Sequence, residues 1–199
     1  EIAQCLVGSE MCIRDRDVMI RGERSQKKVV RLHTGDPCLY GAIKEQMDAL
    51  KKEDIDYEVC PGVSSFCGAA AALEAEYTLP GISQSVVITR MAGRTPVPER
   101  ESIRSFASHH ATMVIFLSTG MLAELEKELI AGGYEKDTPA AIVYKATWPE
   151  QKVCRCTVET LAKTAEGEGI TKTALIVVGD VLDSGYDLSL IHISEPTRH

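Results

Sequence analysis

The chain has 199 residues, 44% of them apolar and 26% charged, and its 29 Asp and Glu against 22 Lys and Arg give a formal net charge of −7. An acidic balance of that size disfavours wholesale binding to nucleic acid or to an anionic membrane. No apolar run approaches the roughly 20 residues that span a bilayer and no cleavable leader is visible, so a soluble, cytoplasmic protein is expected.

In chain order the first feature is foreign. Cys5-Leu-Val-Gly-Ser-Glu-Met-Cys-Ile-Arg-Asp-Arg16 and Leu188-Ser-Leu-Ile-His-Ile-Ser-Glu-Pro-Thr-Arg198 can be encoded by DNA strings that are reverse complements of each other. Two unrelated native termini do not share an inverted repeat, and the string resembles a transposase-based sequencing adapter. Residues 1–16 are therefore read as a non-native or displaced end and 188–199 as an adapter-like tail. Glu1-Ile-Ala-Gln4 and Asp17-Val-Met-Ile20 look like two pieces of one helix ahead of the first strand. Setting the ends aside leaves about 170 residues, enough for one large domain or two small ones.

From residue 17 onward strand-like and helix-like segments alternate, the pattern of an α/β protein. Short apolar runs predict strands over 29–33, 57–60, 84–90, 112–117, 140–144, 152–158 and 173–178. Helical spacing predicts helices near 42–52, 65–75, 99–108, 121–130 and 158–165. Gly132-Gly133 supplies a helix stop, and Asp137-Thr-Pro139 a turn before the next strand. Turn residues over 78–83 mark the boundary between a partial cofactor-binding domain, 17–80, and a second α/β domain, 81–187. Five cysteines lie outside the adapter-like ends. Alternation along 152–158 places Cys154 and Cys156 on one apolar face, and no second pair or histidine cluster has zinc-type spacing, so no metal is expected.

Candidate chemistry gathers where apolar runs end. Arg31-Leu-His-Thr-Gly-Asp-Pro-Cys-Leu-Tyr-Gly41 joins a strand to a glycine turn and then to a helical pattern. Ligands of open α/β sheets collect at such strand ends, where glycine lets the backbone come close and helix N-termini present free amides. Glu58-Val-Cys-Pro-Gly-Val-Ser-Ser-Phe66, Leu79-Pro-Gly81, Arg94-Thr-Pro-Val-Pro98 and Thr173-Ala-Leu-Ile-Val-Val-Gly179 follow in that order. Together these stretches resemble the S-adenosylmethionine-dependent tetrapyrrole methylases. Met91-Ala-Gly-Arg-Thr-Pro-Val-Pro-Glu99 points, within that family, to the carbon-11 methyltransferases of precorrin-4 or cobalt-precorrin-4 in cobalamin synthesis.

The resemblance implies a tetrapyrrole methylase fold of two α/β domains with the active cleft between them. It also implies S-adenosylmethionine as methyl donor, a corrinoid tetrapyrrole as substrate and a homodimer in the intact protein. By the same resemblance Gly35, Asp36, Tyr40, Ser64, Ser65, Leu117, Ser118, Ala146, Thr173 and Ala174 line the cofactor pocket; Arg94, set in a glycine and proline loop, and then Arg90 are the candidates for the carboxylates of such a substrate, which guanidinium forks suit, and His33 faces the substrate. Asp36, the one candidate for a catalytic role, has two readings: a favourable field for a cationic cofactor, or a cap on a helix with Pro37 at its first position. Ser64 and Ser65 are equally caps, His33 a scaffold residue, and Leu117, where many relatives carry methionine, equally core. Arg100 and Arg104 read as solvated helix charge, and Trp148 as packing at a turn ahead of stacking on a ligand.

Members of the family begin with a strand and a G-x-G-P-G-D loop, which this sequence lacks. The first strands and a C-terminal tail are therefore expected to be missing, and the piece to be inactive as it stands. Two alternatives are another methylase, acting on uroporphyrinogen or a different precorrin position, and a non-catalytic nucleotide-binding module using Thr34-Gly-Asp36 on phosphate. The absence of a lysine-bearing phosphate loop counts against the second.

Overall fold

The fold was obtained as a computed structural model that describes residues 2–4, 9–93 and 95–184. The adapter-like tail over 188–199 lies outside the described residues. The chain separates into two compact units, residues 1–65 and 66–199. This division falls earlier than the turn over 78–83, because the helix that opens the larger unit packs on the sheet of that unit.

In the smaller unit β1 (Ile2–Gln4) pairs in parallel with β2 (Val30–Leu32), Ile2 standing opposite Val30. Helix α1 (Ser9–Arg24) connects them and α2 (Lys44–Lys52) follows. The expected helical piece at residues 1–4 is thus corrected to a strand. An unpaired three-residue segment cannot offset helix nucleation, whereas β2 offers it a ready ladder. Helix α1 runs unbroken across the junction at residue 17, with Arg21 and Arg24 in its last turn, where cations meet the negative end of the helix dipole. Arg24 also reaches Glu53 beyond α2 at 2.6 Å. The strand expected over 57–60 does not form: the stretch carries no ladder among the described residues. A two-stranded parallel sheet leaves much of its own surface open, and Val30 and Leu32 are both exposed.

The larger unit opens with α3 (Ser65–Leu73, whose first residue closes the smaller unit) and is built on a five-stranded mixed sheet. Its strands are β3 (Val86–Arg90), β4 (Thr112–Phe116), β5 (Pro139–Tyr144), β6 (Lys152–Thr157) and β7 (Ala174–Val178), in the order β3-β4-β7-β5-β6. Only β3 and β4 are parallel; β7 runs antiparallel to both β4 and β5, and β6 antiparallel to β5. The expected helix over 99–108 resolves into a 3₁₀ turn and α4 (Ile103–Ala107), which Ser102 caps by accepting from the Ser105 amide at 3.2 Å. Helices α5 (Leu122–Gly132) and α6 (Leu161–Gly167) complete the unit.

Both faces of this sheet are buried, and the alternation of side chains divides them. Met113, Ile115, Ala140, Ile142, Ile176 and Val178 meet α4, α5 and α6 on one side. Val114, Ala141, Val143, Leu175 and Val177 meet Ala69 and Leu73 of α3 on the other, together with Tyr77, Val181 and Leu182. The small residues of α3 let it lie close. The Tyr77 hydroxyl donates to the Phe66 carbonyl at 2.8 Å, and burial pushes its phenol pKa well above the ordinary value. Arg155 of β6 donates to the carbonyls of Leu73 and Leu182 at 2.7 and 2.8 Å, tying the end of α3 to the 3₁₀ turn that follows β7. Cys154 and Cys156 pack against the three-helix core as the alternation along 152–158 predicts, and burial pushes the Cys156 thiol up to about 11.

Leu125 of α5 is fully buried in the three-helix layer. Replacement by alanine is expected to lower unfolding free energy by about 2–5 kcal/mol in urea titrations, while Lys127→Ala on the exposed face should stay within about 0.5 kcal/mol.

Candidate active site

In the smaller unit the predicted residues converge at the loop after β2. Gly35 takes φ +72°, and Asp36 binds two amides: Oδ1 accepts from Cys38 N at 2.7 Å and Oδ2 from Gly62 N at 2.9 Å. The first is a local Asx turn; the second ties the 34–41 loop to the 61–65 loop. Asp36 does not cap a helix, because residues 37–40 form a turn and α2 begins only at Lys44. The capping alternative is thereby replaced by a cross-loop bridge. The Gly62 amide, and then the Cys38 amide, hold the Asp36 carboxyl below the ordinary carboxylate range.

The crossing of these two loops demands glycine. A Cβ built on Gly62 would lie 2.2 Å from the carbonyl oxygen of Gly35, a distance no carbon can occupy. Sequence reasoning placed Gly62 inside the Pro61–Ser65 turn but missed its role, since the partner loop is 27 residues away. Ser64 is buried beside this crossing, its Cα 3.5 Å from where a Gly35 Cβ would stand, and Ser65 is exposed at the first position of α3. Tyr40 is half-exposed at φ +57°. His33 is partly buried against the Arg31 guanidinium, which pairs with Asp15 at 3.2 Å. Burial first and Arg31 second lower the His33 pKa, with Asp15 opposing, which favours the neutral imidazole. The scaffold reading of His33 fits these contacts.

In the larger unit Leu117, Ser118, Ala146, Thr173 and Ala174 gather at one end of the five-stranded sheet. This is where β3, β4 and β5 end and β7 begins: Arg90 stands opposite Phe116, and Tyr144 opposite Ala174. The rim is laced together by the Lys145 amide donating to Thr173 O at 3.0 Å and the Thr119 hydroxyl donating to Ala174 O at 3.3 Å. A Cβ on Gly68 of α3 would meet Thr147 Cγ2 at 3.1 Å, so that helix begins beside the same rim.

Four of the ten left-handed non-glycine residues described stand there. Leu117, Lys145, Thr147 and Thr173 hold φ of +54°, +45°, +71° and +58°. Each left-handed non-glycine residue costs on the order of 1–3 kcal/mol, and such outliers cluster at functional sites. Neither Lys145 nor Thr147 was expected, because a positive φ on an ordinary residue leaves no trace in sequence. Leu117 is 75% exposed, which removes it from the core and sets an apolar side chain at the strand end. Trp148, 53% exposed, stands at a turn with the Lys145 ammonium 5.2 Å from its ring centre.

Arg90 donates to the carbonyls of Met91, Thr95 and Pro96 at 3.1–3.3 Å, so its guanidinium braces the loop that follows β3. Arg94 lies outside the described residues. A groove of about 840 Å³ between α1 and α2, lined by Arg16, Asp17, Arg24, Asp48 and others, contains none of the predicted site residues.

The Asp36 bridge carries its own pH dependence. Its folded pKa is lowered, so the tie is present above the unfolded carboxylate value and is lost as pH falls through the folded one. The protection factor of the Gly62 amide, its exchange relative to the intrinsic rate at the same pH, should therefore be high at neutral pH and fall as pH drops below the ordinary carboxylate value of about 4. Asp36→Asn has a single acceptor oxygen for two amides, so protection at Gly62 or at Cys38 should fall at neutral pH, and Gly62→Ala should lose protection at every pH.

Known proteins resemble this chain in sequence and in fold. Residues 14–162 match the family model described as Tetrapyrrole (Corrin/Porphyrin) Methylases. The cobalt-precorrin-4 C(11)-methyltransferase of Methanocaldococcus jannaschii is 54% identical over 170 residues, 85% of this chain and 66% of that protein. The enzyme of the same name from Priestia megaterium is 49% identical over 165 residues, 83% and 64% of the two chains. The X-ray structure of a cobalamin biosynthetic enzyme, cobalt precorrin-4 methyltransferase, superposes with a TM-score of 0.83 at 46% identity, covering 89% of this chain and 73% of the other. This chain thus spans slightly under two thirds of the length of these curated relatives. With a strand-loop-helix order, an α/β fold and a family model matched over most of its length, the chain belongs to the tetrapyrrole methylase family.

Proposed function

We propose that the protein to which this chain belongs transfers a methyl group from S-adenosylmethionine to carbon 11 of precorrin-4 or cobalt-precorrin-4 in cobalamin biosynthesis. The observation that carries this reading is the 54% identity to a cobalt-precorrin-4 C(11)-methyltransferase. The Met91–Glu99 stretch, which points to the same branch, supports it. A homodimer and a cytoplasmic location belong to the same reading; among the described residues no helix is long and apolar enough to cross a membrane.

The residues present fit such a donor. Asp36 offers a carboxylate held ionised by two amides, suited to a sulfonium cation, and Leu117 offers an exposed apolar contact. Ala146 and Ala174 carry side chains small enough for a ligand to reach the main chain. When bound, S-adenosylmethionine supplies a methyl already activated by its positive sulfur. The protein's task is then to hold donor and ring carbon in line and to keep water out, and no nucleophile-base pair is required. Ligand carboxylates on the corrinoid call for cations, and Arg94 is the proposed partner, with Arg90 acting by bracing its loop. Gly35, Tyr40, Ser64, Ser65, Thr173 and His33 remain proposed neighbours of the ligands.

Incubation with methyl-labelled S-adenosylmethionine and each tetrapyrrole, followed by carbon-13 NMR of the product, tests the reading. Label at carbon 11 is expected. Label at another carbon would assign a different tetrapyrrole methylase. No transfer, with S-adenosylhomocysteine displaced by nucleotides, would favour a binding module.

A further inference from the structure

The Ser118 side chain stands in an unexpected place for a ligand contact. It is 0% exposed, and its hydroxyl already makes two backbone hydrogen bonds. It donates to the Phe116 carbonyl at 2.7 Å and accepts from the Met91 amide at 2.9 Å. The first bond spans Leu117, closing a small ring around it. The second anchors that ring to the end of the neighbouring strand, where Arg90 is in register with Phe116. The Ser118 carbonyl in turn accepts from Met121 N at 2.9 Å, so the main chain is held on both sides of the strained residue.

Leu117 itself combines two unfavourable features, a left-handed backbone and an apolar side chain in solvent. A sequence shaped by stability alone would place glycine there. Leucine makes sense if its side chain touches something, and the strain then serves to aim it out from the sheet end instead of into either buried face.

We propose that Ser118 is a positioning residue that holds Leu117 in its left-handed conformation, so that the Leu117 side chain is presented to an apolar part of S-adenosylmethionine while Ser118 touches no ligand. This rests on the methyltransferase reading above and replaces the expected cofactor contact of the Ser118 side chain with an indirect role.

The test is a double-mutant cycle on the 199-residue chain, reading S-adenosylhomocysteine affinity by calorimetry and the thermal midpoint in parallel. Ser118→Ala is expected to weaken binding about fivefold, the worth of roughly one net hydrogen bond. Leu117→Gly, at an exposed position that leaves the core intact, is expected to weaken binding yet raise the thermal midpoint by relieving strain. In the Leu117→Gly background, adding Ser118→Ala should change affinity by less than about twofold, because the side chain through which the hydroxyl acts is gone. With the intact protein, Ser118→Ala should raise KM for S-adenosylmethionine and leave kcat and the tetrapyrrole KM in place. Equal weakening by Ser118→Ala in both backgrounds, or a lower midpoint with unchanged affinity, would overturn the proposal. If neither the unmodified chain nor the intact protein bound S-adenosylhomocysteine, the cofactor reading would fail. The clamp would then be judged on stability alone: Ser118→Ala must lower the midpoint less in the Leu117→Gly background, and an equal drop would overturn it.

Discussion

Burial of the five-stranded sheet on both faces constrains everything else in the larger unit. With three helices covering one side and α3 the other, no strand of the interior can offer a side chain to a ligand from its middle. Backbone groups leave the hydrogen-bond ladder only at the strand ends, and side chains there are the ones free to serve chemistry. Four of the six left-handed non-glycine residues described in the larger unit obey this geometry: Leu117, Lys145, Thr147 and Thr173 stand at the rim where β4 and β5 end and β7 begins. A rigid, fully packed sheet is what can hold them in conformations that a short peptide would leave at once.

In the smaller unit a single carboxylate does comparable work without a large core. Asp36 joins two loops by two amides; Gly62 lets those loops cross at a distance closed to a side chain, and Gly35 supplies the left-handed turn. The same two bonds keep the carboxylate ionised, so the device that shapes the loop also sets its charge. One group thus fixes geometry and electrostatics together, and a neutral substitute would preserve only part of the first.

Charge is deployed locally in a chain that is acidic overall. Arg90 is committed to three loop carbonyls, Arg155 to the ends of two segments, and Arg31 to Asp15 and His33. Each guanidinium fork is occupied by backbone or side-chain acceptors of its own unit. Counting arginines near a loop therefore says little about which of them meets a substrate, and the braced Arg90 illustrates the difference.

The sequence by itself determined the alternation of strands and helices, the pairing of Cys154 and Cys156 on one face, and the order of glycine-bearing strand ends that carries the family resemblance. Those features are local: they depend on periodicity and turn chemistry over a few residues. Tertiary structure alone decided that residues 2–4 form a strand, that 57–60 do not, that Asp36 bridges to Gly62 instead of capping a helix, and that Leu117 points to solvent while the Ser118 hydroxyl turns inward. Each of these depends on a partner distant in sequence. A strand exists only where another offers a ladder, and a left-handed leucine persists only where hydrogen bonds from a neighbouring strand and turn outweigh its strain.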